Sequence, residues 1–200
     1  MTINAILSKA PVIPVLVLDG TLDPAEVAAT LVTAGLPVIE ITLRTAKALE
    51  AIAAMSSVPG AVVGAGTVLS QQQLDEAMAA GSTFIVSPGL TEPLAKAAAG
   101  IPFLPGVATG GDIMRGLDLG LDRFKFFPAE AAGGIAALKA LSAPFAGVRF
   151  CPTGGIIAAT ARDWLGLPSV ACVGGSWVVP KAASLQEIGK LAGEAAALRG

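Results

Sequence analysis

The sequence predicts an α/β chain folded as one (β/α)8 barrel. Three observations carry that expectation. Short apolar, often β-branched runs recur about every 20 to 25 residues, each followed by an Ala-rich segment of helical spacing or by a glycine turn, and strands that alternate with helices imply a parallel sheet. The runs number eight. A doubly wound open sheet would share the βα pattern, but the chain has no early Gly-x-Gly-x-x-Gly turn of the dinucleotide-binding kind. With 200 residues the chain is somewhat short for such a barrel, so one domain over residues 1–200 with little room for another module is expected.

The strand-like runs are Val12–Leu18, Val38–Leu43, Ala61–Gly66, Thr83–Val86, Pro102–Val107, Arg123–Phe127, Val148–Cys151 and Val170–Val173. Helix starts are legible between them. Asp23-Pro24 reads as an N-cap followed by proline at the first helical position, Ser70 precedes Gln71 to Ala80, and Thr91 precedes Glu92 to Ala99. Gly35, Gly81 and Gly100 stand where helices would stop. The seventh unit looks thin, with only Ile156 to Trp164 left for its helix.

Composition narrows the function classes. Hydrophobic residues make up 54% of the chain and charged ones 14%, so each charge inside an apolar run needs its own explanation. A mean hydropathy of +0.73 raises the question of a membrane, yet no apolar run reaches the ~18 residues a spanning helix requires. With no basic leader at its start, the chain is expected to be cytoplasmic, and Cys151 and Cys172 to be buried thiols rather than a disulfide. A net charge of -2 without a Lys/Arg cluster argues against a nucleic-acid surface. The chain contains no histidine and no tyrosine, so proton transfer falls to Glu, Asp, Lys or Cys.

Barrel enzymes carry their reactive groups at the carboxyl ends of the strands. In Arg123-Phe-Lys-Phe-Phe-Pro-Ala-Glu130, alternation sends Phe124 and Phe126 to one face and Lys125 to the other, into the barrel. A low-dielectric interior disfavours an ammonium relative to the free amine, whose lone pair can attack a carbonyl. The bland alternative is an edge lysine that snorkels to solvent. In Val38-Ile-Glu-Ile-Thr-Leu-Arg44 the period of two aligns Glu40, Thr42 and Arg44 on one face. A carboxylate there can shuttle a proton and an arginine at the strand end can clamp a carboxylate; the bland alternative is a structural ion pair crossing the barrel.

Two glycine turns follow the last two strands, in Cys151-Pro-Thr-Gly-Gly-Ile156 and Cys172-Val-Gly-Gly-Ser-Trp177. Turns without side chains let backbone N–H groups approach an anion, and this end of a barrel is a recurrent phosphate site. One Gly-Gly pair alone is only a tight turn. Gly64-Ala-Gly-Thr67 and Ser87-Pro-Gly89 add small-residue mouths after the third and fourth strands.

Taken in order and spacing, Pro11-Val-Ile-Pro-Val15, Ile39-Glu-Ile-Thr-Leu-Arg-Thr45, Val63-Gly-Ala-Gly-Thr-Val68, Ser87-Pro-Gly-Leu90, Phe124-Lys-Phe-Phe-Pro-Ala-Glu130, Arg149-Phe-Cys-Pro-Thr-Gly-Gly155 and Gly174-Gly-Ser-Trp177 make the chain resemble, along nearly its whole length, the bacterial 2-dehydro-3-deoxy-6-phosphogluconate (KDPG) aldolases, class I aldolases on a TIM barrel. The resemblance implies reversible cleavage of a phosphorylated 2-keto-3-deoxy sugar acid to pyruvate and glyceraldehyde 3-phosphate, as in Entner-Doudoroff catabolism. It implies a Schiff base on Lys125, proton shuttling by Glu40 through a bound water, and Arg44 and Thr67 on the pyruvate carboxylate. Gly154, Gly155, Gly175 and Ser176 resemble the phosphate contacts, and Pro88 and Phe127, inside two of these segments, are read as further substrate-binding residues. The family implies a homotrimer, no metal and no cofactor beyond the covalent adduct. One departure is Thr109-Gly-Gly-Asp112, where relatives more often carry Pro, Ser or Val after the threonine; it is expected to loosen that loop.

Three alternatives stay open at this point. The same chemistry could act on the phosphogalactonate epimer or on unphosphorylated 4-hydroxy-2-oxoglutarate (KHG). A phosphosugar isomerase or ring-closing synthase could use Glu40 and Lys125 as a noncovalent acid/base pair, and a phosphometabolite-binding barrel would need neither.

Overall fold

A computed structural model of the chain describes residues 1–18 and 20–198, so Asp19, Arg199 and Gly200, inside the expected 1–200 domain, lie outside the described residues. The strands are β1 (Val12–Leu16), β2 (Val38–Thr42), β3 (Val62–Gly66), β4 (Phe84–Val86), β5 (Phe103–Leu104), β6 (Gly106–Val107), β7 (Arg123–Phe126), β8 (Arg149–Pro152) and β9 (Val173–Gly175). Between and around them run α1 (Ile3–Leu7), α2 (Pro24–Thr33), α3 (Ala48–Ser56), α4 (Gln71–Ala79), α5 (Glu92–Ala97), α6 (Gly110–Asp118), α7 (Gly134–Ser142), α8 (Ala158–Leu165) and α9 (Leu185–Ala196).

All strand pairs are parallel, in the order β5-β4-β3-β2-β1-β9 and β6-β7-β8. The two sheets are parts of one ring. β5 and β6 together are the expected fifth run, interrupted at Pro105, which has no N–H to give the ladder. Its carbonyl still accepts from the Lys125 N–H at 2.9 Å. On the other side, bridges Phe150↔Val170 and Thr153↔Gly174 join β8 to the eighth stave. That stave begins as expected near Val170, but its regular strand lies further on, because pairing with β1 sets its register through Val12↔Val173 and Pro14↔Gly175.

Alternation sorts the side chains into two cores. Outward-facing Val12, Leu16, Ile39, Ile41, Val63, Ala65, Ile85, Phe124, Phe126 and Phe150 pack with the helices. Phe124, Phe126, Phe150 and Trp164 are all fully buried, and burying one such side chain is worth about 1.5–3 kcal/mol. Inward-facing Ile13, Val38, Val62, Phe84, Val86, Leu104, Cys151 and Cys172 form a second core with Ile6 and Leu7 of α1. Thus α1, which sequence periodicity did not reveal, plugs the amino-terminal end of the barrel. Thr2 caps it by accepting from the Ala5 N–H, and Asn4 accepts from the Arg123 guanidinium at 2.9 Å. Both cysteines are buried.

The helix signals hold with small shifts. Asp23 accepts from the Ala25 and Glu26 amides, and Ser70 from Gln73, whereas Thr91 precedes α5 without a side-chain capping bond. Gly35, Gly81 and Gly100 all have positive φ. The thin seventh unit accommodates α8, only eight residues long.

The expected loosening at Gly110-Gly111 is corrected. Both glycines lie in the first turn of α6, and neither has a positive φ. Thr109 and Asp112 cap that helix reciprocally: the Thr109 hydroxyl accepts from the Asp112 amide, while the Asp112 carboxylate accepts from the Ala108 and Thr109 amides and the Thr109 hydroxyl. Burial pushes the Asp112 carboxyl up, but these bonds and the Arg115 guanidinium outweigh it and hold the group below its ordinary value. A capping box replaces the conformational restraint that bulkier residues would supply.

Candidate active site

Above the apolar plug the barrel interior turns polar. Lys125 on β7 and Glu40 on β2 face each other across the axis, with Lys125 Nζ 2.9 Å from Oε1 and 3.3 Å from Oε2 of Glu40. They are 6% and 3% exposed, so this is a desolvated ion pair, neutral as a unit. The bland reading of Glu40 as half of a cross-barrel pair therefore describes the resting geometry. That geometry alone does not distinguish a structural pair from a reactive one. What distinguishes them is access, because both residues line an open cavity.

That cavity is about 140 Å³, large enough for a keto acid of a few carbons with the rest of a longer ligand lying in the mouth. Nine of the ten expected residues line it: Lys125, Glu40, Arg44, Thr67, Pro88, Phe127, Gly154, Gly155 and Ser176. Gly175 does not. Gly174 of β9 and Ser176 just beyond it share the inner face, while a side chain on Gly175 would run into the Trp177 ring behind the strand. Sequence reasoning left out Val15, Val17, Thr42, Thr153, Ile156 and Gly174, which also line the cavity. Of these, Thr42 was signalled by its shared face with Glu40, and Thr153 by its place before the glycine pair.

Local structure explains how the inner residues are held. The Glu40 carboxylate lies directly over Gly66, where a side-chain carbon would overlap Oε1 and sit 2.7 Å from Cδ and Cγ. Only glycine fits beneath that carboxylate. Thr42 is tied to the Leu16 carbonyl at 2.9 Å. The Phe127 ring centroid is 5.4 Å from Lys125 Nζ, a cation–π contact on the second side of the amine.

At the mouth, Thr67 has φ 61°, a left-handed conformation that a β-branched residue rarely adopts. Its hydroxyl accepts from the Arg44 guanidinium at 3.4 Å, which places a cation and a hydroxyl side by side beneath the opening. Strain of this kind, worth about 1–3 kcal/mol, persists where surrounding structure enforces it, often at ligand sites. Pro88 forms the facing wall, and the Ser87 hydroxyl donates to the Gly89 carbonyl at 2.6 Å to close its turn.

Gly154 and Gly155, at φ 103° and 81°, form the turn after β8. The Gly154 carbonyl accepts from the Glu130 N–H at 3.0 Å. In a planar trans peptide the next N–H points the opposite way, so the Gly155 N–H is turned away from Glu130, and no acceptor among the described residues takes it. A donor left open in a turn is a place for an anion. Among the described residues no cluster of three or more His, Cys, Asp or Glu side chains is placed to hold a metal ion, and no helix is long and apolar enough to cross a membrane.

Known proteins match the chain along nearly its whole length. The family model described as KDPG and KHG aldolase matches residues 3–191. A 2-dehydro-3-deoxy-phosphogluconate aldolase of Zymomonas mobilis is 54% identical over 200 residues, covering 98% of this chain and 96% of its own length. A KHG/KDPG aldolase of Escherichia coli is 52% identical over 199 residues, covering 96% and 93%. A crystal structure of KDPG aldolase from Legionella pneumophila, with pyruvate captured as a covalent carbinolamine intermediate, superposes with a TM-score of 0.94 at 42% identity, covering 98% of each chain. Beside the inward lysine, the facing glutamate and the paired glycine turns thus stand matches of sequence and of backbone that cover nearly the whole chain, and the chain belongs to the KDPG and KHG aldolase family.

Proposed function

We propose that this chain is a class I aldolase that reversibly cleaves KDPG to pyruvate and glyceraldehyde 3-phosphate, with Lys125 as nucleophile and Glu40 as acid and base. The observation that carries the reading is the buried amine 2.9 Å from a carboxylate at the floor of an open cavity. Across that bond Glu40 takes a proton from the ammonium and frees the lone pair for attack on the C2 ketone. The carbinolamine then loses water as Glu40 returns the proton to the departing oxygen. In the resulting iminium, nitrogen is an electron sink. Glu40 removes the C4 hydroxyl proton, the C3–C4 bond breaks, and its electron pair moves onto C3 of an enamine while the aldehyde leaves. Protonation at C3 and hydrolysis of the iminium release pyruvate and restore Lys125. The covalent adduct fills the role a metal or bound cofactor would otherwise have.

Arg44 and Thr67 hold the keto-acid carboxylate, Pro88 and Phe127 wall the three-carbon fragment, and Gly154, Gly155, Gly175 and Ser176 receive the phosphate through turn N–H groups and a hydroxyl. Gly175 contributes through its backbone, since its side-chain position faces away from the cavity. The matched family spans KDPG and KHG, and the paired glycine turns favour the phosphorylated substrate. A cytoplasmic homotrimer, by family resemblance, belongs to the same reading, and sedimentation of the purified chain tests the assembly.

Incubation with pyruvate and sodium borohydride, followed by peptide mass spectrometry, is the direct test. A reduced adduct on Lys125, absent from Lys125→Ala, is expected. No adduct on folded protein would overturn the covalent mechanism and favour a noncovalent acid/base pair. Cleavage rates with KDPG and its phosphogalactonate epimer then fix the substrate.

A further inference from the structure

Glu130 ends the lysine-bearing segment Phe124-Lys-Phe-Phe-Pro-Ala-Glu130, yet its carboxylate neither lines the cavity nor pairs with a cation among the described residues. Its surroundings give it a different role. The backbone of Ala129 and Glu130 runs beside the glycine turn, with the Ala129 N–H donating to the Thr153 carbonyl at 2.8 Å and the Glu130 N–H to the Gly154 carbonyl at 3.0 Å. The Cβ and Cγ of Glu130 fill the space where a Gly155 side chain would stand, 2.7 Å from that position. The carboxylate Oε1 accepts from the Trp164 indole N–H at 3.0 Å, and Trp164, on α8, is completely buried against Phe126. One residue thus grips the turn with its main chain, covers it with its methylenes and is fastened by its head to the core helix that follows.

We infer that Glu130 is a positioning residue for the anion-binding turn: the Trp164–Glu130 hydrogen bond fixes the Glu130 backbone, which holds the Gly154 carbonyl toward itself and so keeps the Gly155 N–H facing the substrate phosphate. This rests on the aldolase reading above. A negatively charged side chain next to a phosphate turn would be a liability if it faced the ligand. Here the indole N–H engages it, and its influence passes through the rigid peptide between Gly154 and Gly155. The same hydrogen bond links the phosphate end of the site to the strand of Lys125, because Trp164 packs on Phe126 beside it.

The experiment compares wild type, Glu130→Ala, Glu130→Gln and Trp164→Phe in the intact chain. For each, the KM and kcat for KDPG cleavage are measured, together with the pyruvate concentration that half-saturates borohydride trapping. Pyruvate has no phosphate and reports only the inner cavity. Removing the hydrogen bond at Glu130 is expected to raise KM for KDPG about tenfold and to leave half-saturating pyruvate unchanged. Trp164→Phe should move KM in the same direction, and Glu130→Gln, whose amide oxygen still accepts from the indole, should recover most of the loss. Equal effects on KDPG and pyruvate, or no effect of Glu130→Ala on either, would overturn the inference. Failure of wild type to trap pyruvate would instead overturn the aldolase reading itself, so the two failures are told apart in one data set.

Discussion

Gly66→Ala tests the acid/base assignment without removing either reactive group. The added carbon would lie 2.7 Å from Cδ and Cγ of Glu40 and overlap Oε1, against a comfortable separation of about 3.5–4.0 Å between carbons. Relief requires the carboxylate to move by about 1 Å. The 2.9 Å bond to Lys125 then stretches toward 4 Å, outside hydrogen-bonding range. Misplacement of a catalytic group on this scale costs about 10²-fold in rate, and overpacking a filled interior costs about 1–3 kcal/mol of stability. Both are measurable on one preparation, as kcat for KDPG cleavage and as a urea midpoint. Lys125 keeps its cavity, so pyruvate should still be trapped, more slowly. A Gly66→Ala variant with wild-type kcat and midpoint would refute the reasoning, because Glu40 could not then occupy the position over Gly66 in the working enzyme.

Three further outcomes follow from the same geometry. Glu40→Leu leaves the Lys125 ammonium buried and unpaired and should destabilise the fold by about 3–5 kcal/mol, whereas the inactive Glu40→Leu/Lys125→Met pair should recover most of that loss in chemical denaturation. Thr67→Gly removes a β-branched side chain from φ 61° and should raise stability by about 1 kcal/mol while raising the pyruvate concentration needed for trapping; a variant that is both less stable and equally active would contradict the strain argument. The lowered Asp112 carboxyl contributes stability that is fully present above about pH 3.9, its ordinary value in the unfolded chain, and lost as pH falls through the lower native value. Asp112→Asn should therefore flatten acid-induced destabilisation below that pH, as read by melting temperature at pH 6 and pH 3, and an unchanged difference would sink the assignment.

Much of the site was legible because a strand in a barrel has a period of two. Alternation alone turned Lys125, Glu40, Thr42 and Arg44 inward, and the outward aromatics Phe124 and Phe126 confirmed the phase. Alternation was not what nominated Gly175, which entered by resemblance and lies between the inward Gly174 and Ser176. There the phase is set by pairing with β1, and a glycine pair carries no hydrophobic marker of its own. Helix α1 was invisible for a different reason: five residues are too few to show a period, and Ile6 and Leu7 gain their burial only from the closed barrel floor. The glycines of α6 misled because their freedom is removed by a side-chain cap three residues on, an interaction that composition does not reveal. Thr67 gave no sign of its left-handed backbone, and nothing local joins Lys125 to Glu40 across 85 residues.

In the proposed mechanism that last pairing lets one buried ion pair serve both stability and chemistry. Condensation of an ammonium with a ketone yields an iminium and water, so the charge at Lys125 is +1 before and after the adduct forms. Glu40 is an anion only beside a cation, first the ammonium and then the iminium, and is protonated while the nitrogen is neutral, so the large cost of a lone desolvated carboxylate is not incurred. After the iminium has formed, the charge is cancelled again when the C3–C4 electron pair moves onto it and gives a neutral enamine. By then Glu40 has taken the C4 hydroxyl proton and is neutral as well. Charge on the two sides of the cavity thus disappears together, which holds the site near neutrality as a unit at each stage in an interior where an unpaired charge would be expensive. On the proposed mechanism, the 2.9 Å contact between Lys125 and Glu40 thus serves both the neutral floor of the fold and the proton path.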